Sequence, residues 1–509
     1  MSTHVSGEDT AGVFAGSVFA AVDIGASSGR VILGRVTSDD VQLEVVHRFP
    51  NGVVEIDGGL RWDFDALFAE VLGGLAAAAA TAAANGERIA SIGIDTWAVD
   101  YGLVDAGGNL AAQPFSYRDD RSRAAVEPVH RKLDPARLYA TTGLQFLQFN
   151  TIYQLATEPD LDGLQALLIP DLIAFLLTGV RRTEATNAST TGLFDAVAGE
   201  WATGFLTALG LRKDLFPPLI QPGESYGTLL PGIAEQVGLP QDTKVVAVGS
   251  HDTASAVAAV PATADVGGED FAYISSGTWS LVGLELQHPV LTQASREANF
   301  TNERGVDNTI RYLRNMGGLW LLSECQRTWA AEGFQPELPA LLQAAASLPA
   351  GGPQINADDP CFIAPDNMPE RIRAAVRHTG DVLPDDPAAI TRCIMDSLAA
   401  GYAKTIRAAE QLADRSVKVV HVVGGGSQNQ LLCQLTADAT GLPVIAGPVE
   451  ATALGNILVQ ARAAGSINGG LAQLRALVVL GHDLQEFAPL SAGAGFGVRR
   501  EAGYGLSHD

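Results

Sequence analysis

Residues 18–36 read VFAAVDIGASSGRVILGRV. Two apolar runs flank a single carboxylate, Asp23, and a turn of small residues from Gly25 to Gly29. Short runs rich in Val, Ile and Phe around a Gly/Ser turn predict a β-hairpin, which leaves Asp23 at the end of a buried strand. An aspartate beside glycine commonly accepts turn N–H groups and does nothing more. The stretch also suits an anion: the small turn lets phosphate oxygens approach the backbone, Arg30 offers positive charge, and Asp23 is placed to hold a hydrated metal ion. From this motif alone the two readings stand level.

The hairpin has a counterpart. FAYISSGTWSLVGLEL (271–286) repeats the design with SSGT at its tip, where backbone amides and the Thr278 hydroxyl could cradle phosphate. The parallel continues downstream of each. WDFDALFAEVLGGL (62–75) opens a helical stretch leading into RIASIGIDTWAVDYGLV (88–104), and AAITRCIMDSLAAGYAKTIRAAEQLADR (388–415) leads into KVVHVVGGGSQNQLLCQLTADATG (418–441). Hairpin, helix and strand occurring twice predict two α/β domains of one plan. Their changeover falls near VAAVPATADVGGEDFAY (257–273), and a cleft between two such lobes is a favoured ligand site. The expected division is a flexible extension over 1–17, an N-terminal domain over 18–260, a C-terminal domain over 266–485 and a tail over 486–509.

Bulk properties agree. A chain of 509 residues is too long for one ordinary core, and 47% apolar with 18% charged residues is a globular composition. A net charge of -24 argues against nucleic acid or an anionic membrane surface as partner. Any phosphate must therefore be held by local devices. The spacing of Cys325, Cys361, Cys393 and Cys433 fits neither a zinc site nor a disulfide scaffold, so reduced structural thiols are expected. The opening residues lack the basic start of a signal peptide. The alanine-rich run at 71–86 makes good helix but a poor membrane span, and LLIPDLIAFLLTG (167–179) predicts a buried helix. A soluble, cytoplasmic monomer or weak homodimer is the expectation.

Three further motifs carry possible chemistry. In KVVHVVGGGSQNQLL a strand runs into Gly424, Gly425 and Gly426 and then a helical pattern, which suits an anion or a flat ligand at a helix start. It is not a GxGxxG fingerprint, because Asn429 stands at the third position after Gly426, and no GxxxxGK[ST] loop is present. VVAVGSHDTASAVAAV (245–260) places Asp252 at a helix start, either as an inert dipole partner or as a general base for a sugar hydroxyl. Taken by itself the inert role leads, and His251 beside it is more often structural. GESYG (223–227) satisfies GxSxG, but the prolines in LFPPLIQP and TLLPGIAEQ on either side deny it the strand and helix of a nucleophile elbow, so a loop is expected.

Together, AVDIGASSGRVILGRV (21–36), SIGIDTWAVDYGLVD (91–105), YRDDRS (117–122), TGLQFLQFNTIYQL (142–155), TNASTTGLFD (186–195), SHDTASAV (250–257), YISSGTWSLVG (273–283), NMGGLWLL (315–322), VVGGGSQNQLL (422–432) and VIAGPVEATALGN (444–456) resemble the FGGY family of carbohydrate kinases. The resemblance implies a pair of actin-like, ribonuclease-H-like domains and ATP-dependent phosphorylation of a small-molecule sugar. L-rhamnulose at its 1-hydroxyl comes first, another ketose such as L-fuculose or L-xylulose second. A nucleotide-switch ATPase of the same fold is the rival of another class. Carried over by position, the resemblance implies ATP or phosphate contacts from Ala26, Ser27, Ser28, Gly29, Arg30, Thr278, Ser323 and Gly425, and sugar contacts from Ala98, His251, Asp252, Thr253 and Asn315. It makes Asp252 the proton acceptor and puts Asp23 near Mg2+. Two positions depart from the family pattern: Ala98 stands where glycine is usual, adding a methyl against the sugar, and Ser323 stands where glutamine occurs.

Overall fold

Val18 to Ile24 are buried without alternation, the signature of a central strand covered on both faces. This strand, β1 (Ser17–Ile24), forms the expected antiparallel hairpin with β2 (Ser28–Val36), pairing Asp23 with Arg30. The structure, a computed structural model, describes residues 16–264, 267–363 and 366–490. The expected extension over 1–17 and tail over 486–509 therefore lie almost wholly outside the described residues.

In the first lobe β3 (Val41–Pro50) pairs with β2, and β4 (Ile89–Thr96) runs parallel to β1 on its other side. β5 (Ser225–Thr228) and β6 (Lys244–Val246) complete a six-stranded sheet of order β5-β6-β4-β1-β2-β3. The alanine-rich run lies in α1 (Phe64–Ala84), whose N-terminus is capped by Asp63 accepting from the Ala66 N–H. Its composition and length would let it cross a bilayer. Here Val71 and Leu75 instead pack in one core cluster with Val31 and Leu33 of β2. The segment 169–178 is the expected buried helix; its Asp171 accepts from the Tyr226 hydroxyl at 2.8 Å and the Glu184 N–H at 3.0 Å. A short helix, α2 (Asp252–Ala258), ends the lobe.

The second lobe repeats the plan. β7 (Phe271–Ser276) and β8 (Trp279–Leu286) form the hairpin, β9 (Thr301–Arg304) and β10 (Ile310–Gly317) extend it, and β11 (Val419–Val423) and β12 (Val444–Ala446) run parallel to β7. β13 (Gln485–Phe487) closes the order β9-β10-β8-β7-β11-β12-β13. β10 takes the place of β3. Helix α3 (Trp320–Ala331) follows β10, and α4 (Pro387–Ala413) leads into β11 as α1 leads into β4. The chain is thus mixed α/β with two sheet-containing domains of actin-like type.

One helix joins the lobes. α5 (Ala451–Ala463) follows β12 yet packs on β1, β4 and α2 of the first lobe. Gly455 makes this possible, because a Cβ there would strike the Ser255 carbonyl of α2. A single apolar cluster accordingly spans both lobes, from Phe19 and Ile32 through Val257 to Leu454, Ile457 and Val423. Burial of each large aliphatic side chain there contributes about 1.5–3 kcal/mol.

Two expectations are corrected. GESYG is not a loop: Ser225 begins the edge strand β5, and Tyr226 turns inward, so strand and serine lie in the wrong order for an elbow. The four cysteines are free, but only Cys325, Cys393 and Cys433 are buried; Cys361 is exposed.

Candidate active site

Both hairpin tips open on a cleft of about 750 Å³. At one end the turn after β1 is closed by the Gly25 N–H donating to the Ser28 carbonyl at 2.9 Å, leaving Ser27 and Ser28 exposed. Asp23 is nearly buried, and Arg30 donates to its Oδ2 from Nε at 2.9 Å and Nη2 at 2.7 Å. The third guanidinium nitrogen pairs with Glu450, which precedes α5. Opposite stand Thr278, at the second tip, and Gly424 and Gly425. Gly424 has φ +83°, a backbone that favours glycine, and a Cβ at Gly426 would strike the Ser276 side chain. The triple glycine thus lets this turn lie against β7. Ser323 is exposed on α3 and does not line the cleft.

Asp252 faces these turns as the first residue of α2. Its Oδ1 accepts from the Thr253 N–H at 2.5 Å and hydroxyl at 3.0 Å. Desolvation in the cleft pushes the carboxyl above its ordinary value, against the pull of His251 and Thr253 and with a small push from Asp23. The preceding residues are clamped. Ser250 donates from N and Oγ to the buried Glu184 at 3.1 and 2.7 Å, its carbonyl accepts from the Thr96 N–H at 2.9 Å, and the His251 N–H reaches Thr186 Oγ1 at 3.3 Å.

Ala98 lies where β4 leaves the sheet, and the wall behind it is stiff. Trp62 and Trp97 donate their indole N–H groups to Asp100 Oδ2 at 2.7 and 2.9 Å, the Tyr117 N–H adds 3.1 Å, and Gln154 Nε2 reaches Oδ1 at 3.0 Å. Burial nevertheless pushes Asp100 up to about 6. Between them Val99 sits at φ +69°, a left-handed backbone that a β-branched residue rarely adopts, with its carbonyl held by Thr151 Oγ1 at 2.7 Å. On the far side Asn315 of β10 donates from N and Nδ2 to Gln145 Oε1 at 3.0 and 3.1 Å. The first-lobe segment 143–150 is thereby strapped to the second lobe, helped by Asn302 N–H on the Gly143 carbonyl at 2.8 Å and the Phe146 N–H on Asn299 Oδ1 at 3.0 Å.

The cleft therefore gathers Asp23, Ala26, Ser27, Ser28, Gly29, Arg30, Ala98, His251, Asp252, Thr253, Thr278, Asn315 and Gly425, and leaves out Ser323. Several residues escaped the sequence. Asp95, fully buried, stands opposite Asp23 in the β1/β4 register. Its Oδ2 accepts from Asn456 Nδ2, and its Oδ1 has no hydrogen-bond partner among the described residues. Burial, then Asp23, hold it well above the ordinary carboxylate range. The signal was present: SIGID ends in a lone aspartate as FAAVD does. Val99, Gln145, Glu303 and Glu450 also line or border the cleft, but no local pattern marks them.

Among the described residues no group of three or more His, Cys, Asp or Glu could hold a metal ion. The cleft carboxylate Asp23 fits Mg2+, since Arg30 donates only to its Oδ2 and Mg2+ is usually bound through one or two carboxylates with substrate phosphates and water completing its shell.

Known proteins share this architecture. Residues 18–259 match the N-terminal domain and residues 272–464 the C-terminal domain of the FGGY family of carbohydrate kinases. The chain is 41% identical over 477 residues to a rhamnulokinase of Bacteroides thetaiotaomicron, covering 92% of this chain and 96% of that one. It is 38% identical over 477 residues to a rhamnulokinase of Bacillus subtilis, covering 93% and 95%. Among solved structures, a xylulose kinase from Rhodospirillum rubrum superposes with a TM-score of 0.74 at 19% identity, over 93% of this chain and 95% of that one. Plasmodium falciparum glycerol kinase with ADP superposes with a TM-score of 0.72 at 14% identity, over 93% and 94%.

Proposed function

The chain belongs to the FGGY family of carbohydrate kinases, and from that we propose that it transfers the γ-phosphoryl group of ATP to the 1-hydroxyl of L-rhamnulose. The observation that carries the choice of sugar is the set of five rhamnulokinases at 38–42% identity along nearly the whole chain. The superposed xylulose and glycerol kinases support the fold alone.

In this reading the domain over 18–260 binds the sugar and the phosphates, and that over 266–485 the nucleotide. Ala98, His251, Thr253 and Asn315 orient the ketose. Asp252 accepts the 1-hydroxyl proton as that oxygen attacks phosphorus in line, and ADP leaves. The elevated affinity of Asp252 for a proton suits a base. Backbone N–H groups of Ala26 to Gly29, with Thr278 and Gly425, orient the triphosphate, and Arg30 exchanges Glu450 for a phosphate oxygen. Mg2+ at Asp23, when bound, supplies charge neutralisation on the phosphates. Ser323, outside the cleft lining, is given no part.

The test is a coupled ADP assay over a ketose panel. L-rhamnulose should give the highest kcat/KM; a higher value on L-fuculose or L-xylulose would displace it, and ADP release that no sugar stimulates would point to a nucleotide switch instead.

A further inference from the structure

His251 is flanked by two carboxylates and one guanidinium. On its own helix, Asp252 Oδ1 lies 3.4 Å from Nε2. From the second lobe, Glu303 Oε2 on β9 lies 3.2 Å from Nδ1, and Arg311 Nη2 on β10 lies 3.1 Å from the same nitrogen. Arg311 is completely buried; its Nε donates to the Arg304 carbonyl at 3.1 Å, and Nη2 also lies 3.1 Å from Glu303 Oε2. The arginine decides where the ring hydrogen sits. A guanidinium is always protonated and only donates, so an aligned N–H on Nδ1 requires a lone pair there and puts the ring hydrogen on Nε2. Glu303 Oε2, though close, is not aligned for a hydrogen bond.

We propose that Arg311, with Glu303 as its counter-charge, is a positioning residue that locks His251 as the neutral Nε2–H tautomer. The consequence falls on the neighbouring carboxylate. The Thr253 N–H and hydroxyl donate to Asp252 Oδ1, and His251 Nε2 lies 3.4 Å from that same oxygen. Oδ2 is left without a protein partner among the described residues, and it is the oxygen that takes the sugar proton. The role of that oxygen rests on the sugar-kinase reading; the tautomer does not.

The tautomer is measured directly on full-length protein labelled with ¹⁵N-histidine, by long-range ¹H–¹⁵N correlation, with His251 assigned by difference from His251→Asn. The expected spectrum shows a bare Nδ1 and a protonated Nε2 in wild type without any ligand. A protonated Nδ1 overturns the proposal, whatever the variants do. Arg311→Met leaves Glu303 alone at Nδ1 and should move the hydrogen there, lowering kcat by ~10-fold or more while KM for ATP stays within about twofold. Adding Glu303→Gln supplies an amide donor and should restore both tautomer and most of kcat. A folded Arg311→Met enzyme with the tautomer moved and kcat unchanged would also overturn the positioning role. Absence of sugar turnover in wild type would strike the functional reading while leaving the spectrum to decide the tautomer.

Discussion

Asn456 of α5 donates Nδ2 to Asp95 Oδ2 at 2.6 Å, joining residues 361 positions apart. The bond heads a buried chain: Gln460 Nε2 reaches Asn456 Oδ1 at 2.7 Å and the Ala20 carbonyl at 3.0 Å, and Ser91 Oγ reaches Gln460 Oε1 at 2.7 Å. Asn456→Ala removes the one hydrogen-bond donor that the Asp95 side chain has among the described residues, and a buried polar group left unpaired costs about 1–3 kcal/mol. The urea midpoint should fall accordingly; an unchanged midpoint would remove this bond from the linkage between lobes.

Asp252→Asn should keep the fold and ATP binding and lose turnover. A positioned base contributes about 10²–10⁴-fold, so kcat should drop by that factor while the nucleotide dissociation constant, read by calorimetry, holds. Residual kcat within about threefold of wild type would assign the proton elsewhere.

At Val99 the usual order of substitutions should invert. Alanine keeps the left-handed strain and loses two methyl groups of packing; glycine loses one carbon more but sheds the strain, worth about 1–2 kcal/mol for a residue with a Cβ. Val99→Gly should therefore be more stable than Val99→Ala in denaturant unfolding. The opposite order would mean that the Thr151 bond to its carbonyl does not hold this conformation.

Asp100 gives a pH signature. Its carboxyl is raised from an ordinary 3.8 to about 6, chiefly by burial. Between those values the folded chain keeps a proton that the unfolded chain has released, so this group's stabilisation is present at low pH and is lost as pH rises through about 6. The difference between 3.8 and about 6 corresponds to about 3 kcal/mol. Asp100→Asn cannot titrate, so wild-type stability should fall by about that amount relative to the variant between about pH 4 and about pH 6.5. A constant difference across that range would show that the four donors keep Asp100 ionised throughout.

What the sequence revealed was local. The tips ASSGR and SSGT, the triple glycine and the helix start at Asp252 carry their chemistry in adjacent residues, and the two hairpins declare a repeated lobe. Asp95, Arg311 and Glu303 were hidden because each sits in a strand whose meaning depends on register: Asp95 matters through the residue opposite it, and Arg311 through a histidine on the other lobe. Ser323 shows the converse, since a helix turns each successive residue by about 100°, and position in a motif does not say which face meets the cleft. Proline near GESYG argued correctly against an elbow but could not distinguish a loop from an edge strand, where proline is also tolerated nearby.

The helix α5 also bears on ancestry and engineering. The C-terminal family domain is counted through residue 464, which includes α5, yet the apolar face of that helix belongs to the sheet of its neighbour. The two domains are therefore not interchangeable cassettes. A chimera cut in the changeover near residues 257–273 would pair a foreign α5 with this chain's β1, β4 and α2, and would have to match Gly455 against Ser255 and Asn456 against Asp95. Recombination between relatives should succeed only where α5 travels with the first lobe, which makes this helix, rather than the linker, the working boundary of inheritance.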